Sequence, residues 1–408
     1  MPIDYRVRIY DTNGQLQAVA LQVRSITIEH RTNTPSTCTL SLYTGDPAVQ
    51  YFTLDSIIQV MRTYPEAGRG WYTEYVGFHR TPQRQITTAD SQIFTSYSRG
   101  LLDLIKRRAI RYYADTEGSA KGPGPADDII KQYVRENAGS LATLANNRVT
   151  AGVIPGLTIA PDLSQAPSYE GADAWRNLLE AITDIGEPNN VDFDVVWLGG
   201  ANFEFRTYWP QLGTDRRAGT SSAVIFSIEQ GNMTNPSHTL SRTDEATSVL
   251  VLGPGEGPLR DTTLVTAPPA IINASPWNLI EAEYNAAGED RAQALVDAGN
   301  KLLYEKRAAV SVTFEPIQTI HTAYGQHYFL GDIVTCTFGG TSTNIKIRAV
   351  TINIAEGAEA ITLELEEETS QFSGGGTSVQ RISHSRLNGA AQTQANNNPG
   401  NIPQVLVS

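Results

Sequence analysis

Residues 328–368 constrain the fold most strongly, because apolar and polar side chains alternate there through three consecutive runs. A period of two is typical of β-strands that bury one face. Gly339 and Gly340 fall between the first two runs, where a chain reversal needs positive φ. The runs are residues 334–338, 345–354 and 361–365. We therefore predict an antiparallel β-module in this part of the chain.

The second of these runs contains a break in its pattern. Its apolar phase moves from Ile345 and Ile347 to Val350, Ile352 and Ile354. A period-two pattern changes phase only through a bulge or a sharp bend, and such a feature curls a sheet. The break favours a barrel over a flat sheet.

The third run separates two kinds of side chain. Ile361, Leu363 and Leu365 fall on one face, whereas Glu364 and Glu366 fall on the other. Successive side chains of a strand point to opposite sides of the sheet. We predict that the apolar face is core and that the acidic face meets water or a charged space.

The first 100 residues are dense in strand patterns. Asn13-Gly14 lies between two apolar runs, which is a strong signal for a tight hairpin. Many short strands with little helix favour a closed or nearly closed barrel. Strands are predicted at residues 5–10, 16–23, 23–29, 37–42, 56–62, 71–80 and 92–97.

The rest of the chain changes character twice. Residues 101–231 predict a mixed α/β insertion, and residues 232–368 predict a long helix followed by the β-module. Residues 369–408 are polar and rich in Gly, Asn, Gln and Ser, a composition that buries too little apolar surface to fold alone. The predicted helices are 126–137, 172–185 and 289–307, and further strands are 193–198, 202–208, 224–227, 248–252 and 310–314.

Charge and hydropathy exclude several functions. The 408 residues include 31 basic and 43 acidic side chains, a net charge of −12, which argues against a sequence-independent grip on DNA phosphates. The chain has no leader-like N-terminal pattern and no apolar run long enough to cross a bilayer, so we predict a soluble chain without a membrane-spanning segment. The two cysteines, Cys38 and Cys336, occupy apolar strand positions and are interpreted as small buried hydrophobes.

Candidate chemical groups are few, and no catalytic, cofactor or metal constellation emerges. The six histidines include no pair at helical metal-ligand spacing. The Gly-rich stretch 253–257 lacks the Lys-Ser or Lys-Thr ending of a phosphate loop and predicts a turn. Asp192 and Asp194 share one strand face, and a solvated face explains them better than a catalytic carboxylate pair.

A basic run, Lys106, Arg107 and Arg108, has two interpretations. It forms a solvated turn beside a domain junction, or it contacts the carboxylates or phosphates of a partner. Four nearby charges, counting Arg111, would hold DNA only weakly in an acidic chain.

The order of the segments resembles that of the siphophage tail hub proteins of the actinophage ReqiPepy type, which lie at the distal end of a long non-contractile tail. The segments that carry this resemblance are YSRGLLDLIKRRAIRYY (97–113), ADDIIKQYVREN (126–137), WRNLL (175–179), VIFSIEQGN (224–232), VLVLGPGEGPLR (249–260) and YFLGDIV (328–334).

The resemblance implies a mainly β chain with two β-barrel tube domains of the tail hub type and a mixed α/β domain between them. The tube domains would be residues 1–100 and, with a helix, 232–368, and the α/β insertion would be 101–231. It further implies a homotrimeric, non-enzymatic virion protein of the tail tip, made in the host cytoplasm, without cofactors. Its partners would be the distal tail protein, the tape measure protein and a tail fibre or receptor-binding protein.

Two expectations follow for particular residues. Glu364 and Glu366 would line a lumen through which DNA passes during genome ejection without specific binding. Residues 369–408 would form a C-terminal docking arm for host attachment, with Val405, Leu406 and Val407 added to a partner as an edge strand.

Two rival functions stay open at this point. One is a tail-associated cell-wall hydrolase that uses Asp192 and Asp194. The other is a host-glycan-binding module with exposed aromatic side chains between Trp197 and Trp209.

Overall fold

A computed structural model of the chain describes residues 4–88, 91–111, 120–146, 151–355, 358–367 and 378–382, and these residues are mainly β-structure. They fall into two compact units. The first unit is drawn from residues 1–168, 172–241 and 309–370, and the second from 169–171, 242–308 and 371–408. In the described part of the chain, no helix is long and apolar enough to span a membrane.

The strands are numbered in chain order. The first twelve are β1 Asp4–Tyr10, β2 Leu16–Ala20, β3 Val23–Arg31, β4 Thr34–Tyr43, β5 Ile57–Tyr64, β6 Arg69–Thr88, β7 Ser91–Gly100, β8 Ala120–Pro125, β9 Leu157–Ile159, β10 Ser168–Ala172, β11 Asp192–Gly199 and β12 Asn202–Tyr208. The next ten are β13 Ile225–Ser227, β14 Met233–Ser241, β15 Ser248–Leu252, β16 Thr262–Thr266, β17 Glu281–Asn285, β18 Ala309–Pro316, β19 Ile333–Phe338, β20 Thr341–Ala355, β21 Ala358–Glu367 and β22 Ser378–Ile382. The helices are α1 Asp103–Lys106, α2 Ala126–Asn137, α3 Leu178–Gly186, α4 Pro269–Ile272 and α5 Ala292–Glu305.

One 13-stranded sheet dominates the first unit. Its hydrogen-bonded order is β14-β18-β21-β20-β3-β4-β7-β6-β5-β1-β2, with β19 paired to β20 and β13 paired to β19. Strands from both sequence ends therefore meet at the antiparallel β20–β3 pair, where Ile352 lies opposite Ile28. The mainly β expectation is confirmed, but among the described strands no closed barrel is found.

The phase break of β20 is a bulge, as predicted. Ile347 pairs with Leu365 and Ala349 with Glu364, so Arg348 is the extra residue on its strand. The carbonyl of Arg348 accepts a hydrogen bond from Thr32 N at 3.0 Å, so its polar backbone is not left unpaired at the bulge. Apolar side chains on both sides of the bulge thus reach the same core.

The N-terminal strands also follow the sequence pattern. β1 and β2 form the predicted hairpin, and Gly14 in its turn has φ +77°, a conformation that favours glycine. Cys38 and Cys336 are free and buried in the core of the sheet, as expected.

In the α/β segment, α2 has the predicted bounds but α3 begins later than predicted. The helix predicted from residue 172 starts at Leu178, because the Asn177 side chain accepts from the backbone N of Leu179 and Glu180 and caps the helix there. Trp175 lies outside the helix with φ +61° and is 57% exposed. The prediction of helix from residue 172 is therefore wrong for residues 172–177.

The second unit is a small α/β module. Its mixed sheet has the order β17-β15-β16-β22, and α5 packs on one face. The predicted long helix is present as α5, although its ends are shorter than the 289–307 pattern. The buried residues between helix and sheet are Val249, Val251, Val265, Leu295 and Leu303.

A buried guanidinium ties distant strands of the first unit together. The side chain of Arg62 on β5 is fully buried and forms a two-pronged ion pair with Glu359 on β21, with N–O distances of 2.6 and 2.8 Å. It also donates to the hydroxyls of Tyr5 and Tyr72 and to the carbonyl of Tyr324. Every N–H-bearing nitrogen of the guanidinium therefore has an acceptor, which a buried charge requires.

We expect Arg62→Met to lower the free energy of unfolding by about 3–5 kcal/mol, because it leaves the Glu359 carboxylate buried without its partner. The double variant Arg62→Met/Glu359→Leu removes both charges and is expected to recover much of that loss. Chemical denaturation of the full chain measures both effects.

A matched control is Arg31→Met, which breaks the solvent-exposed pair between Arg31 and Glu364. Its expected cost is below about 1 kcal/mol, since exposed ion pairs contribute little. A double variant no more stable than Arg62→Met would contradict this account of the Arg62–Glu359 pair.

Candidate functional site

The acidic strand face predicted from the sequence exists on β21. Leu363 and Leu365 are buried, whereas Glu364 lies on the opposite face with 58% of its side chain exposed. The division of β21 into a core face and a solvent face is therefore confirmed.

Each of the two predicted glutamates is paired with an arginine. Arg31 on β3 donates from Nη1 to Glu364 Oε1 at 2.9 Å, and this hydrogen bond raises the pKa of Arg31. Arg348, the bulge residue of β20, donates to Glu366. The face thus carries balanced charges and not a bare strip of carboxylates.

Hydroxyl-bearing side chains extend this face across the neighbouring strands. Thr362 of β21 lies opposite Thr351 of β20, which in turn lies opposite Glu29 of β3. Glu29 is opposite Thr37 of β4, and Thr37 is opposite Arg99 of β7. We call this surface of β21, β20, β3, β4 and β7 the polar face. It is rich in threonine and alternates charges of both signs.

The basic run is engaged mainly within the chain. Arg107 pairs with Asp103 at 2.7 Å and with Asp55 at 3.1 Å. Arg108 donates to the carbonyl of Gly152 at 2.6 Å. Lys106 is exposed. The two arginines therefore fasten α1 to its surroundings, and Lys106 is the member of the run that faces solvent.

The proposed docking arm is described only in part. Residues Ser378–Ile382 form β22, which pairs antiparallel with β16 from Thr262 to Thr266. Val405, Leu406 and Val407 lie outside the described residues.

Asp192 does not form a carboxylate pair with Asp194. It is buried against Lys346 Nζ at 2.6 Å, and its Oδ2 also accepts from the backbone N of Leu212 at 2.8 Å. Burial lowers the pKa of Lys346, while Asp192 opposes that shift. Asp192 is therefore a structural counter-ion for β20.

Asp194 lies in a different environment. Its carboxylate accepts from the backbone N of Val195 at 2.8 Å, and burial raises its pKa to about 6. It lines a half-open cleft of about 320 Å³ between β11 and the ends of β3, β6 and β7.

Further polar side chains line this cleft, among them His30, Ser36 and Glu74. His30 Nδ1 lies 3.0 Å from Ser36 Oγ, and His30 Nε2 lies 3.3 Å from Glu74 Oε1. Burial acts to raise the pKa of Glu74, but hydrogen bonding from His30 and Tyr72 holds it below the ordinary value. Sequence reasoning missed this group because its members come from three strands and share no sequence spacing.

The two tryptophans considered for glycan binding, Trp197 and Trp209, differ in their contacts and exposure. The Trp197 indole donates to the carbonyl of Gly200 at 2.9 Å and packs edge-on against Tyr10. Trp209 is 42% exposed. The two rings are thus not equally available to a ligand.

Three solved structures share this fold at very low sequence identity. The first is a tail protein from Neisseria meningitidis MC58, with a TM-score of 0.54 and 10% identity over 91% of this chain and 98% of that chain. The second is the 43 kDa tail protein of prophage MuSo2 from Shewanella oneidensis, with a TM-score of 0.55 and 9% identity over 90% of this chain and 98% of that chain. The third is prophage tail protein gp18 from Listeria monocytogenes EGD-e, with a TM-score of 0.52 and 9% identity over 90% of this chain and 95% of that chain. No curated protein matches the chain in sequence.

The family comparison covers most of the chain. Residues 6–365 match the model described as siphovirus ReqiPepy6 Gp37-like protein. This range includes the cleft, Arg62 with its partners other than Tyr5, and the polar face except Glu366. The chain belongs to the siphovirus ReqiPepy6 Gp37-like family and has a fold shared with prophage tail proteins.

Proposed function

We propose that this chain is the structural hub of the distal tail tip of a long-tailed phage, where it closes the tail tube as a homotrimer. The observation that carries the proposal is family membership over residues 6–365, together with a fold shared with prophage tail proteins. The proposed location is the virion, after assembly in the host cytoplasm. The proposed role is structural.

The large sheet supplies a physical reason for a ring. Among the described strands, β2 pairs only with β1 and β14 pairs only with β18, so each is an edge of the sheet. Exposed edges invite pairing with further strands, and a closed ring of copies covers them. We propose that residues 1–100 and 232–368 contribute the two tube domains of each copy, with 101–231 as the insertion between them.

The polar face is the proposed wall of the DNA channel. Its threonine hydroxyls are uncharged, and its glutamates are offset by Arg31 and Arg348. A surface with balanced charges has no net positive potential with which to trap phosphates. Glu364 and Glu366 therefore act by preventing the two arginines from binding DNA, a role different from simple repulsion.

The proposed partners are the distal tail protein above the hub, the tape measure protein in the lumen and a tail fibre or receptor-binding protein below. We assign the last contact to the C-terminal arm, and Lys106 is the exposed cation of the basic run that is free to face a partner's carboxylate.

The trimer is tested by the mass of the purified chain. We expect a species of about 133 kDa, three times the 44.4 kDa of one chain, in mass photometry. A purely monomeric chain at all concentrations and in tail-tip preparations would contradict the ring.

The role of the polar face is tested by charge reversal in phage. Glu364→Lys/Glu366→Lys removes the glutamates paired with Arg31 and Arg348 and adds two cations, so DNA should be retained electrostatically. We expect genome ejection to slow several-fold, with the delay reduced at high salt, as measured by a DNA-release assay on particles with normal tails.

The matched control is Glu281→Lys/Glu283→Lys, which makes the same change of charge on β17, a strand outside the 13-stranded sheet that carries the polar face. Ejection at the wild-type rate is expected for this control. Normal ejection kinetics in the β21 variant, or a delay that salt does not alter, would show that the polar face does not line the DNA path.

The docking arm is tested by truncation after β22. Deleting residues 383–408 leaves the β16–β22 pair intact, so we expect normal trimers whose tail tips lack the fibre protein. Electron microscopy and the protein composition of purified tails report both outcomes.

Substitutions that keep the arm at full length test whether fibre attachment needs a specific contact or only an arm of that length. Replacing Val405, Leu406 and Val407 by serine should reproduce the loss, whereas serine at Asn396, Asn397 and Asn398 should not. Fibres retained on the truncated tails would refute the arm as their attachment point.

A further inference from the structure

The half-open cleft beside β11 carries negative charge, only part of which is paired within the core. Two carboxylates, Glu74 and Asp194, line it, and its described lining contains no lysine or arginine. Apart from His30, the remaining walls are hydroxyl-bearing or apolar. They include Ser36, Val196 and Trp197.

The two carboxylates differ in how well they are satisfied. Glu74 accepts from the Tyr72 hydroxyl at 2.7 Å and from the Tyr324 hydroxyl at 3.2 Å, so it is built into the core. Among the described residues, Asp194 accepts only from the adjacent backbone N of Val195. Asp194 is therefore the carboxylate with free acceptor capacity.

Other charged groups near Asp194 do not neutralise it. Arg206 lies opposite Asp194 on β12 but is paired with Glu204. Tyr208, on the same strand, has its pKa raised by burial and then by the charge of Asp194. His30 contributes a favourable charge only when it is protonated.

We propose that this cleft binds a primary ammonium group on a short alkyl chain. The ammonium donates to Asp194 and to the His30–Ser36 side of the cleft, and its methylene groups pack against Val196 and Trp197. An anion is excluded by the carboxylates, and the described residues include no group of three ligands suited to a metal ion. Such a ligand supplies the counter-charge that Asp194 lacks.

The test measures the binding of 1,5-diaminopentane to the full chain by isothermal titration calorimetry at pH 8. We expect saturable binding with a Kd of about 0.1–1 mM, typical of a small ligand held by one ion pair. Asp194→Asn should weaken this binding at least about tenfold. The uncharged probe 1,5-pentanediol should not bind.

The control variant is Asp297→Asn on α5. Burial also raises the pKa of Asp297 to about 6, but this carboxylate is occupied by the Glu170 backbone N and by Gln293. We expect it to bind the diamine like the wild type. This comparison separates the cleft from a general effect of removing a buried acid.

The pH dependence has a defined sign. The pKa of Asp194 is about 6, so at pH 5 only about one tenth of the carboxyl is ionised and binding should be about tenfold weaker than at pH 8. Asp194→Asn should lose most of this dependence.

Two sources of the ammonium are distinguished by a second probe, Nα-acetyl-lysine methylamide. Binding close to that of the diamine indicates a lysine side chain of a protein partner, whereas binding of the diamine alone indicates a free amine. Absence of saturable diamine binding up to about 10 mM at pH 8 overturns the site. Equal affinity in Asp194→Asn, or equal affinity for the diol, also overturns it.

Discussion

The first unit depends on the burial of one positive charge. Taking a guanidinium out of water is costly unless each donor finds an acceptor. Arg62 meets this requirement only when Tyr5, Tyr72, Tyr324 and Glu359 converge on it. Arg62 and Glu359 are separated by 297 positions in the sequence. Strands near both ends of the unit must therefore be in place before the charge is satisfied, which couples their folding. The same network continues from Tyr72 and Tyr324 to Glu74, so the wall of the cleft is held by the core.

The parts of the fold that sequence predicts well are those governed by local periodicity. The bulge at Arg348 follows from the phase change between Ile347 and Val350, because only an extra residue lets both apolar sets face one core. The start of α3 was mispredicted for a local reason as well. An apolar pattern extends back to Trp175. The Asn177 side chain, however, accepts from the first free N–H groups, so the helix begins only after Asn177. Periodicity locates apolar faces, whereas capping decides helix ends.

Long-range electrostatic partners were not predictable from the same patterns. Glu364 and Glu366 alternate with buried leucines, and their position on the face opposite the core follows from that. Their pairing with Arg31 and Arg348 depends on strand order, since β21 and β3 flank β20 only in the folded sheet. The cleft is a stronger example, because His30, Ser36, Glu74 and Asp194 come from four strands. A single sequence contains no spacing that brings them together. The strand pattern likewise makes Asp192 and Asp194 equivalent, although Lys346 pairs with only the first.

The two kinds of carboxylate in this chain lead to different functional consequences. A glutamate on the polar face shares an exposed ion pair, so its pairing energy is small and salt weakens it. Such a pair suits a surface along which a polyanion must slide, because either partner can be rehydrated at little cost. Asp194 is desolvated without a fixed counter-ion, and its charged form is disfavoured until a cation arrives. The exposed glutamate–arginine pairs disfavour binding of a polyanion, whereas the desolvated Asp194 favours a cationic ligand. The fold thus places a weakly interacting surface and a selective cleft on different parts of the same unit.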